Sequence, residues 1–305
     1  MEHIVIIGAG AMGSLFAARL ALAQKAVTLV DVDVARLAAF DRDGVALDDH
    51  HGKRVAQVRA CRADEVAGPV DLVILFTKAM HSRAAIASAA HLAKTGCAVL
   101  TLQNGLGNAE AIAEIFPEEQ VLLGVTDWPA DLLPPNGVAA HGEGHVWLGA
   151  YRPAGAAFAQ AAVDLLNLAG MHAAYDPDVK AALWEKAAFN AALNALATIL
   201  QCPVGGLDTP EGRRIAQQVA EEAAAAAALQ GVALDQARLS AKIDFALTHH
   251  KLHKPSMLQD RLAGRATEID AINGQIVFFA EQAGLTAPVT ATLAALVKMG
   301  ETSGS

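Results

Sequence analysis

Residues Ile4 to Gly13 read Ile-Val-Ile-Ile-Gly-Ala-Gly-Ala-Met-Gly, and no other stretch restricts the fold of this chain so tightly. Four β-branched apolar residues run straight into a G-x-G-x-x-G, and a helical pattern follows from Ser14 to Ala23. Strand, glycine turn and helix in that order suit the pyrophosphate of a dinucleotide. The first glycine makes the tight turn, the second lets phosphates approach bare backbone, and the third allows the helix to pack on the strand. The free N–H groups at the helix start then face an anion. Gly8, Ala9, Gly10, Ala11, Met12 and Gly13 are therefore candidate cofactor contacts. The competing reading is a glycine-rich turn that binds nothing.

The next strand candidate, Ala26-Val-Thr-Leu-Val-Asp31, ends in an acid 21 residues after Gly10. A carboxylate there accepts hydrogen bonds from a ribose 2′-OH and repels a 2′-phosphate, so Asp31 favours NAD over NADP. Arg36, five residues on, could turn toward a 2′-phosphate; a solvated position on the following helix is the preferred reading. Residues 45–62 suggest a hairpin or short strands. Asp71–Phe76, Ala98–Leu102 and Val121–Val125 are continuous apolar runs separated by helical patterns, and residues 127–149 read as a hairpin closing a first domain. Strands and helices alternating in this way predict a doubly wound parallel sheet of the Rossmann type, in which ligands sit beyond the carboxyl ends of the strands. Thr77-Lys78 and Gln103-Asn104-Gly105 follow two such ends. On residue type alone, Lys78 and Asn104 are equally well read as strand-end caps.

Composition removes several function classes. With 53% hydrophobic and 18% charged residues over 305 positions, the chain can build sizeable cores. A net charge of −9, with no basic stripe, argues against nucleic acid or an anionic membrane as partner. No apolar run is long enough for a bilayer, and the opening residues are not expected to be a signal peptide. Cys61, Cys97 and Cys202 lack metal-ligand spacing and read as free thiols, so a cytoplasmic setting without a metal is expected.

Asp176-Pro177-Asp178 is a helix-start signal, and beyond it the pattern is helical nearly to the end, with Gly300 to Ser305 expected to fray. The predicted architecture is thus a dinucleotide-binding domain over 1–176 followed by an all-helical domain over 177–305, which could pair as a homodimer. One helical segment, Leu183 to Thr198, places Lys186, Asn190 and Asn194 at i, i+4 and i+8 on an otherwise Ala/Leu/Phe surface. A cation and two amides in line fit a wall that holds a small polar ligand. An outward lysine with two asparagines bonding between helices is the alternative. Farther on, Ser256 follows a proline and could cap a helix, while Glu268 lies in a helical segment between apolar residues. A solvated or structural carboxylate is the simpler reading of Glu268 taken alone.

Together these residues resemble the ketopantoate reductase (2-dehydropantoate 2-reductase) family over nearly the whole chain. The markers are the glycine loop, Thr77-Lys78, Gln103-Asn104-Gly105, the Lys186…Asn190…Asn194 helix, and Ser256-Met-Leu-Gln-Asp260…Arg265-x-Thr-Glu268-x-Asp270-x-x-Asn273-Gly274. The resemblance implies a helical domain closing over the cofactor, with a 2-oxo acid held between the halves. It implies that Lys186 is the general acid, with Glu268 orienting it. It further implies that Asn104 and Ser256 hold the substrate carboxylate, that Asn190 and Asn194 bind its oxygens, and that Lys78 lies near both ligands. The implied reaction is NAD(P)H-dependent reduction of a 2-oxo acid to a D-2-hydroxy acid, with ketopantoate to D-pantoate, a step toward pantothenate and coenzyme A, as first choice.

The chain departs from the family pattern at four places. Val204 follows Cys202-Pro203 where many members carry an asparagine, and His253 replaces another three positions before Ser256. Asp127-Trp128-Pro129 stands where small residues are usual, and Asp31 stands in a family whose familiar members use NADPH. Trp128 could favour an apolar or aromatic substrate side chain or simply pack under its loop; Asp31, Val204 and Trp128 together motivate a second reading, an NAD-dependent D-2-hydroxyacid dehydrogenase of the mandelate type. A nucleotide-binding protein without catalysis is the third.

Overall fold

The computed structural model describes residues 1–302 and divides into two compact units. One holds Met1–Gln103 and Asn108–Val179; the other holds Asn104–Gly107 and the chain from Lys180 onward.

The first unit is built on an eight-stranded sheet. The strands in chain order are β1 (His3–Ile7), β2 (Ala26–Val30), β3 (Val45–Asp49), β4 (Gly52–Ala56), β5 (Arg59–Cys61), β6 (Leu72–Leu75), β7 (Ala98–Thr101), β8 (Val121–Thr126), β9 (Asp131–Leu133), β10 (Gly137–Ala140), β11 (Val146–Ala150) and β12 (Ala173–Tyr175). The helices of this unit are α1 (Ala11–Leu22), α2 (Val34–Asp43), α3 (Ser82–Ser88), α4 (Asn108–Ala113) and α5 (Ala156–Leu168). The main sheet runs β12-β11-β8-β7-β6-β1-β2-β5. Its six strands from β8 to β5 are mutually parallel, with β1 at the switch point between β2 and β6. This is the expected Rossmann-type sheet. Ile4, Val5 and Ile6 are fully buried, as a strand covered on both faces requires.

A second sheet lies beyond the sequence reading. The stretch 127–149, expected as one hairpin closing the domain, divides between two sheets. Strands β9 and β10 pair antiparallel, β10 adds parallel to β3, and a separate sheet β4-β3-β10-β9 results. Only β11 returns to the main sheet, antiparallel to β8. The second sheet explains α1, whose residues Gly13 to Leu20 are all buried. A helix apolar all round needs cover on both sides, and the main sheet supplies only one. The one charged residue of α1 is Arg19, buried against Asp49 of β3 at 3.1 Å and lying 4.6 Å over the Trp128 ring. Burial pushes the Arg19 guanidinium below its ordinary value, opposed by Asp49. Burial also pushes the Asp49 carboxyl up, but the His51 N–H, Arg54 and Arg19 outweigh it and hold it below the usual range. The pair therefore stays ionised at neutral pH and ties the second sheet to the helix.

The second unit contains α6 (Val179–Leu200, beginning one residue before the division), α7 (Pro210–Leu229), α8 (Gln236–His249), α9 (Ser256–Leu262), α10 (Gln275–Gln282) and α11 (Pro288–Thr302), with no strand among the described residues. Small side chains at Ala216, Ala220, Ala223, Ala226 and Ala227 line the buried face of α7 and permit close helix packing. Glu222 on α7 caps α11, accepting the N–H groups of Val289 (3.0 Å) and Thr290 (2.8 Å) and the Thr290 hydroxyl. Helix α11 continues through Gly300 to Thr302, so part of the terminus expected to fray is helical; Ser303–Ser305 lie outside the described residues. No helix among the described residues is long and apolar enough to cross a membrane.

Candidate active site

In the first unit the glycine loop has the geometry that its spacing calls for. Gly8 takes φ +107°, and a Cβ there would lie 2.7 Å from the Phe76 carbonyl carbon and the Thr77 nitrogen. A Cβ on Gly13 would lie 1.8 Å from the Gly8 oxygen. On Gly10 it would meet nothing within 4 Å. The outer two glycines are therefore required by packing, while Gly10 leaves open space beside the first turn of α1. That is a surface a pyrophosphate fits, with helix N–H groups to receive it. Ala11 and Met12 form the first turn, so the helix starts three residues earlier than the sequence pattern suggests.

Asp31 follows β2 with its carboxylate fixed by backbone. Oδ2 accepts the Ala9 N–H (2.7 Å), and Oδ1 accepts those of Val32 (2.7 Å) and Asp33 (3.0 Å). Arg36 stands on the following helix, as expected, and is partly exposed. Its guanidinium folds back to the Ala9 carbonyl (3.4 Å), 3.9 Å from Asp31 and 3.7 Å from Asp33. The reason is local: Asp33 caps α2 and accepts the Arg36 N–H, which sets the arginine on the helix's first turn facing three acceptors. Thr77 and Lys78 follow β6. They are tied to the end of β7 by Gln103, a residue with no role in the sequence reading. Its amide donates to the Thr77 carbonyl (2.6 Å), the Thr77 hydroxyl (3.1 Å) and Ser82 Oγ (2.8 Å).

In the second unit, α6 carries Lys186 and Asn190 half-buried and Asn194 buried, on one stripe as the spacing predicts. Among the described residues neither asparagine side chain finds a hydrogen-bond partner, so the alternative of amides bridging helices is not met. Next to Lys186, the buried Glu185 forms ion pairs with Arg238 and Lys242 of α8, which fixes the rotation of α6. The turn Asn104–Gly107 belongs to this unit, and Asn104 Nδ2 lies 3.4 Å from Glu268 Oε2.

Glu268 is buried, at 8% exposure, and stands at the entrance of a helical segment rather than within it. Its carbonyl accepts the N–H groups of Ala271 and Ile272 (both 3.1 Å), and residues Asp270–Gly274 form a π turn leading into α10. The solvated reading of Glu268 is therefore wrong. The residues around it act as its scaffold: Asp260 accepts from Arg265 (3.0 Å), Glu301 accepts the Thr267 N–H (2.7 Å), and Lys298 pairs with Asp270. Ser256 is exposed and is the first residue of α9; Pro255 occupies the cap position, so Ser256 does not cap the helix.

Two of the departures are core residues. Trp128 is 5% exposed in the first unit's core, its indole N–H donating to the Met171 carbonyl at 3.0 Å. It packs under its loop instead of shaping a substrate pocket. Val204 is likewise core, in the second unit, and its N–H donates to the carbonyl of exposed His253 (2.9 Å). No group of three or more His, Cys, Asp or Glu side chains suited to a metal occurs among the described residues.

Comparison with known proteins covers both units. Residues 4–153 match the family model described as ketopantoate reductase PanE/ApbA, and 178–301 match its C-terminal counterpart. A 2-dehydropantoate 2-reductase of Streptococcus pyogenes is 30% identical over 98% of this chain and 97% of its own. One from Pyrococcus horikoshii is 32% identical over 99% and 98%. Among solved structures, D-mandelate dehydrogenase with NADH and anilino(oxo)acetate superposes with a TM-score of 0.93 at 31% identity, covering 99% of each chain.

Proposed function

This chain belongs to the ketopantoate reductase family, and from that premise we propose that it reduces ketopantoate to D-pantoate with NADH. The coarser statement, an oxidoreductase acting on CH–OH groups with a nicotinamide cofactor and a 2-oxo acid, holds for the family. The observation that carries the finer reading is the polar constellation of the second unit. Lys186 shares one face of α6 with the amides of Asn190 and Asn194, and a buried carboxylate, Glu268, contacts Asn104.

In this reading the domain over 1–176 holds the dinucleotide and the helical domain over 177–305 holds the substrate. Gly8 to Gly13 cradle the pyrophosphate, Asp31 accepts from the ribose, and Thr77, Lys78 and Asn104 complete the nicotinamide side. Bound reduced nicotinamide supplies a hydride to the carbonyl carbon. The protein supplies the rest. The Lys186 ammonium polarises the ketone and donates its proton to the oxygen as negative charge develops there. Glu268 directs that ammonium and accepts from the new hydroxyl. Asn104 and Ser256 hold the carboxylate, and Asn190 and Asn194 bind the remaining oxygens.

Asp31 supports NADH because its braced carboxylate presents negative charge where a 2′-phosphate would sit. Arg36 reduces that repulsion but is already shared among Asp31, Asp33 and the Ala9 carbonyl. A second reading, a dehydrogenase for bulkier D-2-hydroxy acids, is favoured by Asp31 and by the likeness to D-mandelate dehydrogenase; Trp128 no longer supports it. Steady-state assays with each cofactor against ketopantoate and an aryl 2-oxo acid separate the two. The first reading expects the higher kcat/KM with ketopantoate and NADH. A preference for the aryl acid of tenfold or more, about 1.4 kcal/mol of discrimination, transfers the assignment to the second, and no turnover with any pair rejects both.

A further inference from the structure

The π turn Asp270–Gly274 touches every polar segment of the second unit's site except Ser256, and we propose that it is the device that sets their register, with Asn273 as its positioning residue. The inference rests on the functional reading above for the roles of Lys186 and Glu268, and on the geometry for everything else.

A π turn differs from an α-helix in which carbonyls it leaves free. In a regular helix the Ala271 carbonyl would accept the N–H of Gln275, four residues on. Here the Gln275 N–H bonds to the Ile272 carbonyl instead. The Ala271 carbonyl accepts the Leu106 N–H at 2.9 Å. That bond docks the Asn104–Gly107 turn directly on the π turn. The approach is so close that a Cβ on Gly105, itself at φ +86°, would fall 2.3 Å from the Ala271 oxygen. The glycine after Asn104 is thus required by this contact.

On its other side the turn engages α6. Asn273 has no exposed surface, and its Nδ2 donates to the Ala191 carbonyl at 3.2 Å. Ala191 follows Asn190 directly and stands between Lys186 and Asn194 on the same helix. The Asn273 Oδ1 is buried without a hydrogen-bond partner in the structure. Burying an unmatched amide oxygen is unfavourable, so the position is better explained by what the donor holds than by stability. At its N-terminal edge the turn begins on the carbonyl of Glu268, and the preceding N–H, that of Thr267, is anchored by Glu301 on α11. One five-residue turn therefore links the turn bearing Asn104, the helix bearing Lys186, Asn190 and Asn194, and Glu268 itself. Asn273 touches neither cofactor nor substrate in this account. It acts through the placement of α6 against Glu268.

The test is a pair of variants, Asn273→Ala and Glu301→Ala, in the full chain, each also combined with Glu268→Gln. Wild-type turnover of a 2-oxo acid is measured first and judges the functional reading on its own. Given that activity, Asn273→Ala is expected to lower kcat by roughly 100-fold, the size of effect that a misplacement of about 1 Å produces, with the dissociation constant for NADH unchanged. In the Glu268→Gln background the same substitution should lower kcat by no more than about threefold, because residues that act as a unit are not additive. Glu301→Ala, at a half-buried position, should repeat the pattern with a loss of about tenfold. If Asn273→Ala does not fold, Glu301→Ala decides. A crystal structure of whichever variant folds supplies the readout that does not depend on activity: the Asn104–Glu268 contact is expected to open by about 1 Å. Unchanged kcat, losses that simply multiply in the double variants, or a contact retained in the variant structure would overturn the proposal.

Discussion

Replacing Lys186 with alanine is expected to lower kcat by about 10²- to 10⁴-fold, the range that a positioned general acid supplies. Binding of NADH should be unchanged, because the glycine loop and Asp31 belong to the other unit. The fold should also survive. Lys186 is half-buried, alanine is the best helix former, and the neighbouring Glu185 keeps α6 clamped to α8 through Arg238 and Lys242. The loss should fall on kcat more than on KM, since the ammonium interacts most strongly with an oxygen that carries charge only in the transition state. Steady-state kinetics with a cofactor titration and a thermal melt read all three. A variant that turns over within about threefold of the parent would remove Lys186 from the general-acid role.

The second large effect is expected at Gly13. A methyl group there would lie 1.8 Å from the Gly8 carbonyl oxygen, 3.0 Å from its carbon and 3.4 Å from Ile6 Cγ2. Two of these neighbours are backbone, and α1 cannot withdraw because the second sheet covers its other face. The loop must therefore deform. Gly13→Ala should lose about 3 kcal/mol of stability, the upper range for forced overpacking, and NADH affinity by roughly 100-fold or more as the loop's N–H groups lose their alignment. Gly10→Ala is the contrast: a Cβ there meets nothing, so the melting temperature should stay near that of the parent while cofactor affinity falls. Fluorescence titration of NADH with thermal melts measures both, and a Gly13→Ala protein that binds NADH as the parent does would contradict the role given to the loop.

Much of the fold is legible in the sequence because its signals are local. Buried parallel strands read as continuous apolar runs, and Lys186, Asn190 and Asn194 align by helical period alone. The second sheet is not legible, since β3 pairs with β10 some 90 residues away and nothing in either strand names its partner. The buried α1, with Arg19 as its one charged residue, is the trace of that sheet. A largely apolar helix bearing one charge implies cover on both faces and a buried acid, here Asp49. The direction of Arg36 is not legible because it depends on the cap at Asp33, and a large aromatic at a loop such as Trp128 reads equally well as pocket or core. Glu268 and Asn273 hide for a different reason. The turn that joins them follows a π pattern of hydrogen bonds, so reasoning on the α-helical period gives neither its start nor the direction of its side chains.

In the proposed reaction a hydride reaches the carbonyl carbon and Lys186 donates a proton to the carbonyl oxygen. The most direct measurement uses NADH carrying deuterium at the transferable position of nicotinamide C4, with ketopantoate, and locates the label in the product. The account predicts D-pantoate with deuterium at C2, formed in step with NADH oxidation and suppressed together with it in Lys186→Ala. Unlabelled product, label at another carbon, or transfer that continues undiminished in Lys186→Ala would contradict it.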